Sequence, residues 1–196
     1  MINSPFFFSA QNEGDALVLR LRSADGTNRL TRECVGALRE VIEKVRAEAR
    51  PLVITGNEKF FSVGADLNEI ARLDGPAAYE FARMGQALMR AIAEFPAPVF
   101  AAVSGYCMGG GFDLALACHR RIAAPNAVFG HRGAALGLLT GWGGTQRLPR
   151  LVGKGFAVEM FVTAEKVSAE RAVEIGLVEC VVADPLDEAL RRIGSK

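Results

Sequence analysis

Hydrophobic and polar positions follow two rhythms along this 196-residue chain. Residues 16–22, Ala16-Leu17-Val18-Leu19-Arg20-Leu21-Arg22, read as a half-exposed strand, and residues 23–28 have turn composition. Over residues 31–49 the rhythm changes. Val35, Leu38, Val41, Ile42 and Val45 recur at the spacing of an amphipathic helix. Residues 51–56 form a continuous apolar run ending in glycine, the pattern of a strand buried on both faces. Residues 60–67 leave it as an irregular loop. A helix is predicted from Pro76, which suits a first helical turn, to about residue 94. Residues 98–104 are a second apolar strand, Gly109-Gly110-Gly111 interrupts, and residues 112–118 read as helix. A short strand is predicted at 121–124, a glycine-rich loop at 136–144, and two helices between 145 and 163. Residues 168–174 are helical and close at Gly176, 177–182 read as a strand, and Asp184-Pro185 caps a last helix. Strands alternating with helices predict one α/β domain over residues 1–196 with largely parallel strands.

Composition narrows the field without changing that picture. Hydrophobic residues are 50% and charged residues 23%, which excludes a disordered chain. A formal net charge of +1 leaves no broad basic field, so nucleic acid is not an expected partner. The most apolar stretch, residues 97–107, is too short to span a bilayer, and no leader-like segment opens the chain. Cys34, Cys107, Cys118 and Cys180 are widely spaced, so reduced structural thiols and a cytoplasmic location are expected. With two histidines and no clustered carboxylates, no metal or separate cofactor is expected.

The sharpest chemical signal is strand, Gly109-Gly110-Gly111, helix. Bare backbone and the unpaired N–H groups of a helix start can hold an anion or a developing oxyanion. Asp113 follows Gly110 by three residues and should face the same side. Ser62-Val63-Gly64-Ala65-Asp66-Leu67 leaves another strand end, so the two segments together could supply a pair of donors to one oxygen. The simpler alternatives are tight helix–strand packing and an ordinary glycine turn capped by Asp66. Cys107 near a helix start, paired with His119 or His131, is a weaker candidate nucleophile. His131 sits in a loop where a solvated histidine is the plainer reading, and Arg147, Arg150 and Lys154 read as a solvated basic stripe.

Taken in order, PLVITGNEKFFSVGADLNEI (51–70), PVFAAVSGYCMGGGFDLALACHRRIAA (98–124) and FGHRGAALGLLTGWGGTQRLPRLVGKGFAVEMFVTAEKVSAERAVEIGLVECVV (129–182) resemble the enoyl-CoA hydratase/isomerase (crotonase) superfamily. The resemblance implies a crotonase (ClpP/crotonase-like) α/β spiral of ββα units over about 1–182, with 183–196 beginning a shortened C-terminal helical region. It implies an acyl-CoA thioester as substrate, with coenzyme A present only as part of it. Backbone N–H groups of Ala65 and Gly110 would hold the thioester oxygen, with Asp113 as the acid–base group. Asp25, Gly26, Thr27, Val63, Asp66, Leu67, Asn68, Gly109 and Gly133 fall in segments that bind substrate. Family hydratases use two glutamates. The first falls on Asp113, one methylene shorter, and the second on Gly133, which has no side chain. His131 is the nearest titratable replacement. Relatives continue past the position of Lys196 with helices that cover the acyl pocket and build a trimer interface, so a homo-oligomer, trimer or hexamer, is expected. The readings are hydration or isomerisation of a 2-enoyl-CoA. The alternatives are another crotonase reaction (isomerisation, decarboxylation or thioester cleavage) and non-catalytic acyl-CoA binding.

Overall fold

The computed structural model describes Ser4 and residues 6–195. Phe8–Glu13 (β1) and Ala16–Leu21 (β2) pair as an antiparallel hairpin, followed by Arg29–Leu30 (β3) and the helix Arg32–Val45 (α1). Three units then repeat one plan. The first contains Leu52–Thr55 (β4), Phe60–Ser62 (β5), Gly64–Ala65 (β6) and the helices Leu67–Ile70 (α2) and Gly75–Ala93 (α3). The second is Val99–Val103 (β7), Tyr106–Met108 (β8) and Gly110–Ala117 (α4). The third is Arg120–Ala123 (β9), Val128–Gly130 (β10), the short 3-10 turn Arg132–Leu136 and Gly144–Val152 (α5). Lys154–Thr163 (α6), Val167–Ser168 (β11), Ala169–Glu174 (α7) and Pro185–Gly194 (α8) follow.

The leading strand of each unit joins one sheet, in the order β1-β2-β4-β7-β9 and parallel from β2 onward. The second strand joins another sheet, β11-β10-β8-β5, in which β5, β8 and β10 are parallel. Stepping from one sheet to the other in every unit makes the expected spiral. The apolar runs are continuous because the first sheet is covered on both faces. Val99, Ala101 and Val103 of β7 enter the main core, while Phe100 and Ala102 point to a second cluster closed by Ala189 and Ile193 of α8. Helix α1 starts where Thr31 accepts a hydrogen bond from the Cys34 N–H, and it buries Cys34, Val35, Leu38, Val41, Ile42 and Val45. Each such fully buried aliphatic side chain contributes about 1.5–3 kcal/mol, enough to make this face the anchor of the spiral's start.

Several expectations are corrected. Residues 60–67 are not irregular: they hold β5, β6 and the start of α2. β1, β8 and β10 go unpredicted, the first as a polar edge strand and the others because three residues cannot display a period. Helix α4 begins at Gly110 rather than Phe112. Residues 177–182 are not a strand. They skirt the β9 edge through Glu179 N–H to Arg121 O and Val182 N–H to Ala123 O, with one isolated Ala123–Val181 bridge. No helix among the described residues is long and apolar enough to cross a membrane.

Gly105, at the step from β7 to β8, combines φ of +61° with a Cβ direction that ends 2.0 Å from the Lys59 carbonyl oxygen. Gly14 also has positive φ, +56°, but has open space around it. Gly14→Ala should therefore cost about 1–2 kcal/mol and Gly105→Ala clearly more, because only the second adds a backbone collision. Urea denaturation of the two variants checks this; equal losses would contradict it.

Candidate active site

The site forms where the first and second units touch. Ser62 Oγ donates to Asn28 O and accepts from the Gly64 N–H at 3.0 Å, and β6 pairs with β3 through Leu30 and Ala65. Gly64, at φ of +91°, lies so close to the β8–α4 turn that a Cβ there would sit 2.6 Å from Met108 O and 2.7 Å from Gly110 N. From the other side, a Cβ on Gly110 would lie 3.2 Å from Ala65 N. The two backbone amides named from sequence are thus neighbours. Gly111 completes the close approach, since a Cβ there would meet Ser62 at 2.6 Å. The Gly110 N–H belongs to the first turn of α4, where helix amides lack intrahelical partners and the dipole is positive.

These residues open onto a cavity of about 320 Å³, the size of small-ligand sites. Its walls are mostly apolar, including Leu67, Ile70, Leu73, Phe81 and Leu139. Asp113 and His131 form its polar end, only 1% and 4% exposed. Thr140 Oγ1 donates to Asp113 Oδ2, leaving Asp113 Oδ1 3.5 Å from His131 Nε2. Among the described residues both facing atoms are buried without a hydrogen-bond partner. Burial pushes the Asp113 carboxyl up from 3.8 to about 7, against the lowering pull of Thr140, Arg147 and the Gly144 N–H. Burial also pushes His131 down from 6.5 to about 4. Its ring is packed between Phe112 and Phe161, with centroids 4.9 and 5.3 Å away. Near neutral pH this is therefore a neutral imidazole beside a carboxyl close to half-ionised, not a salt bridge.

Of the residues named from sequence, Val63, Ala65, Leu67, Gly109, Gly110, Asp113, His131 and Gly133 line the cavity. Asp25, Gly26, Thr27, Asp66 and Asn68 do not, although Thr27 O accepts from the Val63 N–H and so ties their turn to the rim. The Asp25 carboxylate is occupied within its own turn. It accepts from Ser23 and Thr27, pairs with Arg29, and is held at about 2 by those bonds. Asp66 is spent capping α2. His131 is buried rather than solvated, and Arg147 leaves the basic stripe to donate to Trp142 O at 3.2 Å. The Cys107 nucleophile is overturned: burial raises its thiol well above the usual range, and His119 is tied to Val99 N and Ala93 O. Thr140, Trp142 and Phe161 were missed. The glycine-rich loop that carries the first two offered no periodic signal, and Phe161 reads only as a core position of α6.

The architecture is that of the crotonase superfamily. Residues 12–193 match the family model Enoyl-CoA hydratase/isomerase, and the chain belongs to that family of acyl-CoA enzymes. It is 39% identical over 175 residues to a crotonyl-CoA hydratase of Syntrophomonas wolfei, covering 88% of this chain and 67% of that one. It is 36% identical to a short-chain-enoyl-CoA hydratase of Clostridium acetobutylicum, covering 88% and 67%. The chain therefore spans about two thirds of the length of these curated relatives. Among solved structures, Pseudomonas aeruginosa DspI superposes with a TM-score of 0.92 at 38% identity, covering 98% of this chain and 75% of that one. An enoyl-CoA hydratase from Bacillus anthracis gives 0.90 at 35% identity, covering 96% and 77%.

The buried acid and the buried base act oppositely on stability. With its folded pKa raised from 3.8 to about 7, Asp113 makes the native state bind more protons than the unfolded one, so stability falls as pH rises from about 4 to 7. His131, lowered from 6.5 to about 4, makes stability rise across nearly the same window. The two largely cancel in the unaltered protein. Asp113→Asn removes the first effect alone. Its stability relative to the parent should climb between pH 4 and 7, by on the order of 4 kcal/mol, and then level. Urea unfolding at several pH values measures this; a flat difference would refute it.

Proposed function

We propose that the chain hydrates the double bond of a 2-enoyl-CoA thioester. The observation that carries this reading is the adjacency of the Ala65 and Gly110 amides to one buried cavity-lining carboxylate, Asp113. The thioester oxygen accepts from the two N–H groups. As the water oxygen bonds to C3, the π electrons move through C2 onto the thioester oxygen and give an enolate, and ionised Asp113 takes the proton that the water loses. The enolate then re-forms the carbonyl while C2 takes a proton back from Asp113, leaving a 3-hydroxyacyl-CoA. A donor aimed at a developing oxyanion is typically worth about 3–4 kcal/mol.

His131 stands where its Nε2 can share the water with Asp113 Oδ1. Because burial keeps the ring neutral, it orients the water rather than protonating the enolate. The Asp25–Thr27 turn, with its carboxylate already engaged, offers coenzyme A its backbone at the rim, beside Asp66, Leu67 and Asn68. Leu67 is 53% exposed, as a rim contact would be.

One observation favours a second reading, isomerisation. Gly133 contributes no side chain, and a Cβ there would sit 2.9 Å from Leu138 O, so the loop leaves no room for a second carboxylate. A single base suffices to take a proton from C2 of a 3-enoyl-CoA and return it to C4, through a dienolate whose oxygen accepts from the same two amides.

Crotonyl-CoA turnover, followed by loss of the conjugated thioester's absorbance, tests the proposal. Asp113→Asn should lower kcat/KM by at least about 100-fold. In the parent, kcat/KM should rise tenfold per pH unit up to about pH 7 and then level, because the base must be ionised. Absorbance that stays constant, with Asp113-dependent conversion of 3-enoyl-CoA, would replace hydration by isomerisation. Neither activity in the folded protein would overturn both.

A further inference from the structure

Trp142 is the largest side chain at the cavity, and two glycines make room for it. Its ring spans from α3 to the start of α4. A Cβ on Gly85 would lie 2.1 Å from Trp142 Nε1, and a Cβ on Gly110 would lie 2.5 Å from Cζ3. The indole is therefore seated in a slot that any side chain at either position would fill. It is also fixed there. Nε1 donates to Phe81 O at 3.2 Å, and the ring lies 5.3 Å from the Phe81 ring. On either side of it, Gln86 Nε2 donates to Gly141 O at 2.8 Å and Arg147 holds Trp142 O. The side chain is buried yet lines the cavity, so it is a wall rather than a rim residue.

Its position decides what it does. The six-membered ring lies directly against Gly110, one of the two amides assigned to the thioester oxygen. An acyl group attached to that thioester must pass beside the indole. The ring itself takes the slot toward Gly85, while Ala78, Phe81 and Ala82 of α3 line the open cavity next to it. We propose that Trp142 is the specificity-determining residue of this site, filling the slot between the acyl cavity and Gly85 and so restricting the enzyme to short acyl chains. This rests on the reading of the ligand as an acyl-CoA and adds which acyl groups are admitted.

The test is binding of a saturated series, butyryl-, octanoyl- and dodecanoyl-CoA, by isothermal titration calorimetry, which needs no turnover. Trp142→Ala opens the slot to the chain. Each methylene newly buried there strengthens binding about fourfold, so dodecanoyl-CoA should gain at least tenfold relative to butyryl-CoA. Trp142→Phe keeps a ring in the slot and should move the same ratio less, and it decides the matter if the alanine variant does not fold. A dodecanoyl-to-butyryl ratio within about twofold of the parent's in a folded variant overturns the role of Trp142 alone. Failure of the parent protein to bind any member of the series overturns the acyl-CoA reading itself, and this proposal with it.

Discussion

Everything chemical in this molecule depends on one close contact between two stretches of backbone. Strand β6 and the turn that opens α4 approach until Gly64 has no room for a Cβ between Met108 O and Gly110 N. That contact is not local. It needs β3 to hold β6 from one side and Ser62 Oγ to bridge Asn28 O and Gly64 N. It also needs the parallel pairing of β5 with β8, which sets how far the second unit is displaced from the first. The repeated step between two sheets fixes that displacement, and the continuous apolar strands of the first sheet make the step rigid. The proposed reaction asks both amides to meet one oxygen within a few tenths of an ångström, which requires such a frame.

The polar end of the cavity is placed against the ordinary logic of a core. A carboxyl and an imidazole with facing, unbonded atoms would each be better hydrated in the unfolded chain. Burial drives both toward neutrality, and Thr140 then anchors one carboxyl oxygen while the other is left toward His131. The result is a carboxyl that can exchange a proton near neutral pH. The same burial that makes it useful makes it destabilising, and the extensive apolar core around it carries the difference.

How much of this was legible in the sequence follows from the range of each interaction. Helix α1 and strands β4 and β7 could be read because their burial repeats along the chain, as Val35, Leu38 and Ile42 or Val53 and Phe100 illustrate. Gly110 and Asp113 could be read because helix geometry alone puts them on one side, and both line the cavity. The three-residue strands β8 and β10 could not, since their existence depends on partners distant in sequence. His131 looked solvated because nothing near it in sequence announces Phe161, thirty residues away, which closes over its ring. Cys107 misled for the opposite reason: its place near a helix start was right, but depth outweighs the dipole.

The backbone contact and the variable side chains of the cavity lie in different parts of the spiral. The amide pair comes from the first and second units, where its geometry is dictated by backbone contact and tolerates almost no change. His131, Gly133, Thr140 and Trp142 all lie on the connection between β10 and α5 in the third unit. That connection makes few regular hydrogen bonds of its own and is held by contacts to Ala164, Gln86 and Phe81. Its side chains can therefore vary without disturbing the amides; in the proposed reaction they set the surroundings of Asp113 and, through Trp142, the room beside the thioester. On the proposed reading, binding of the reacting group and choice of the group it carries fall to different parts of the chain, as expected when a rigid scaffold presents function on its connecting loops.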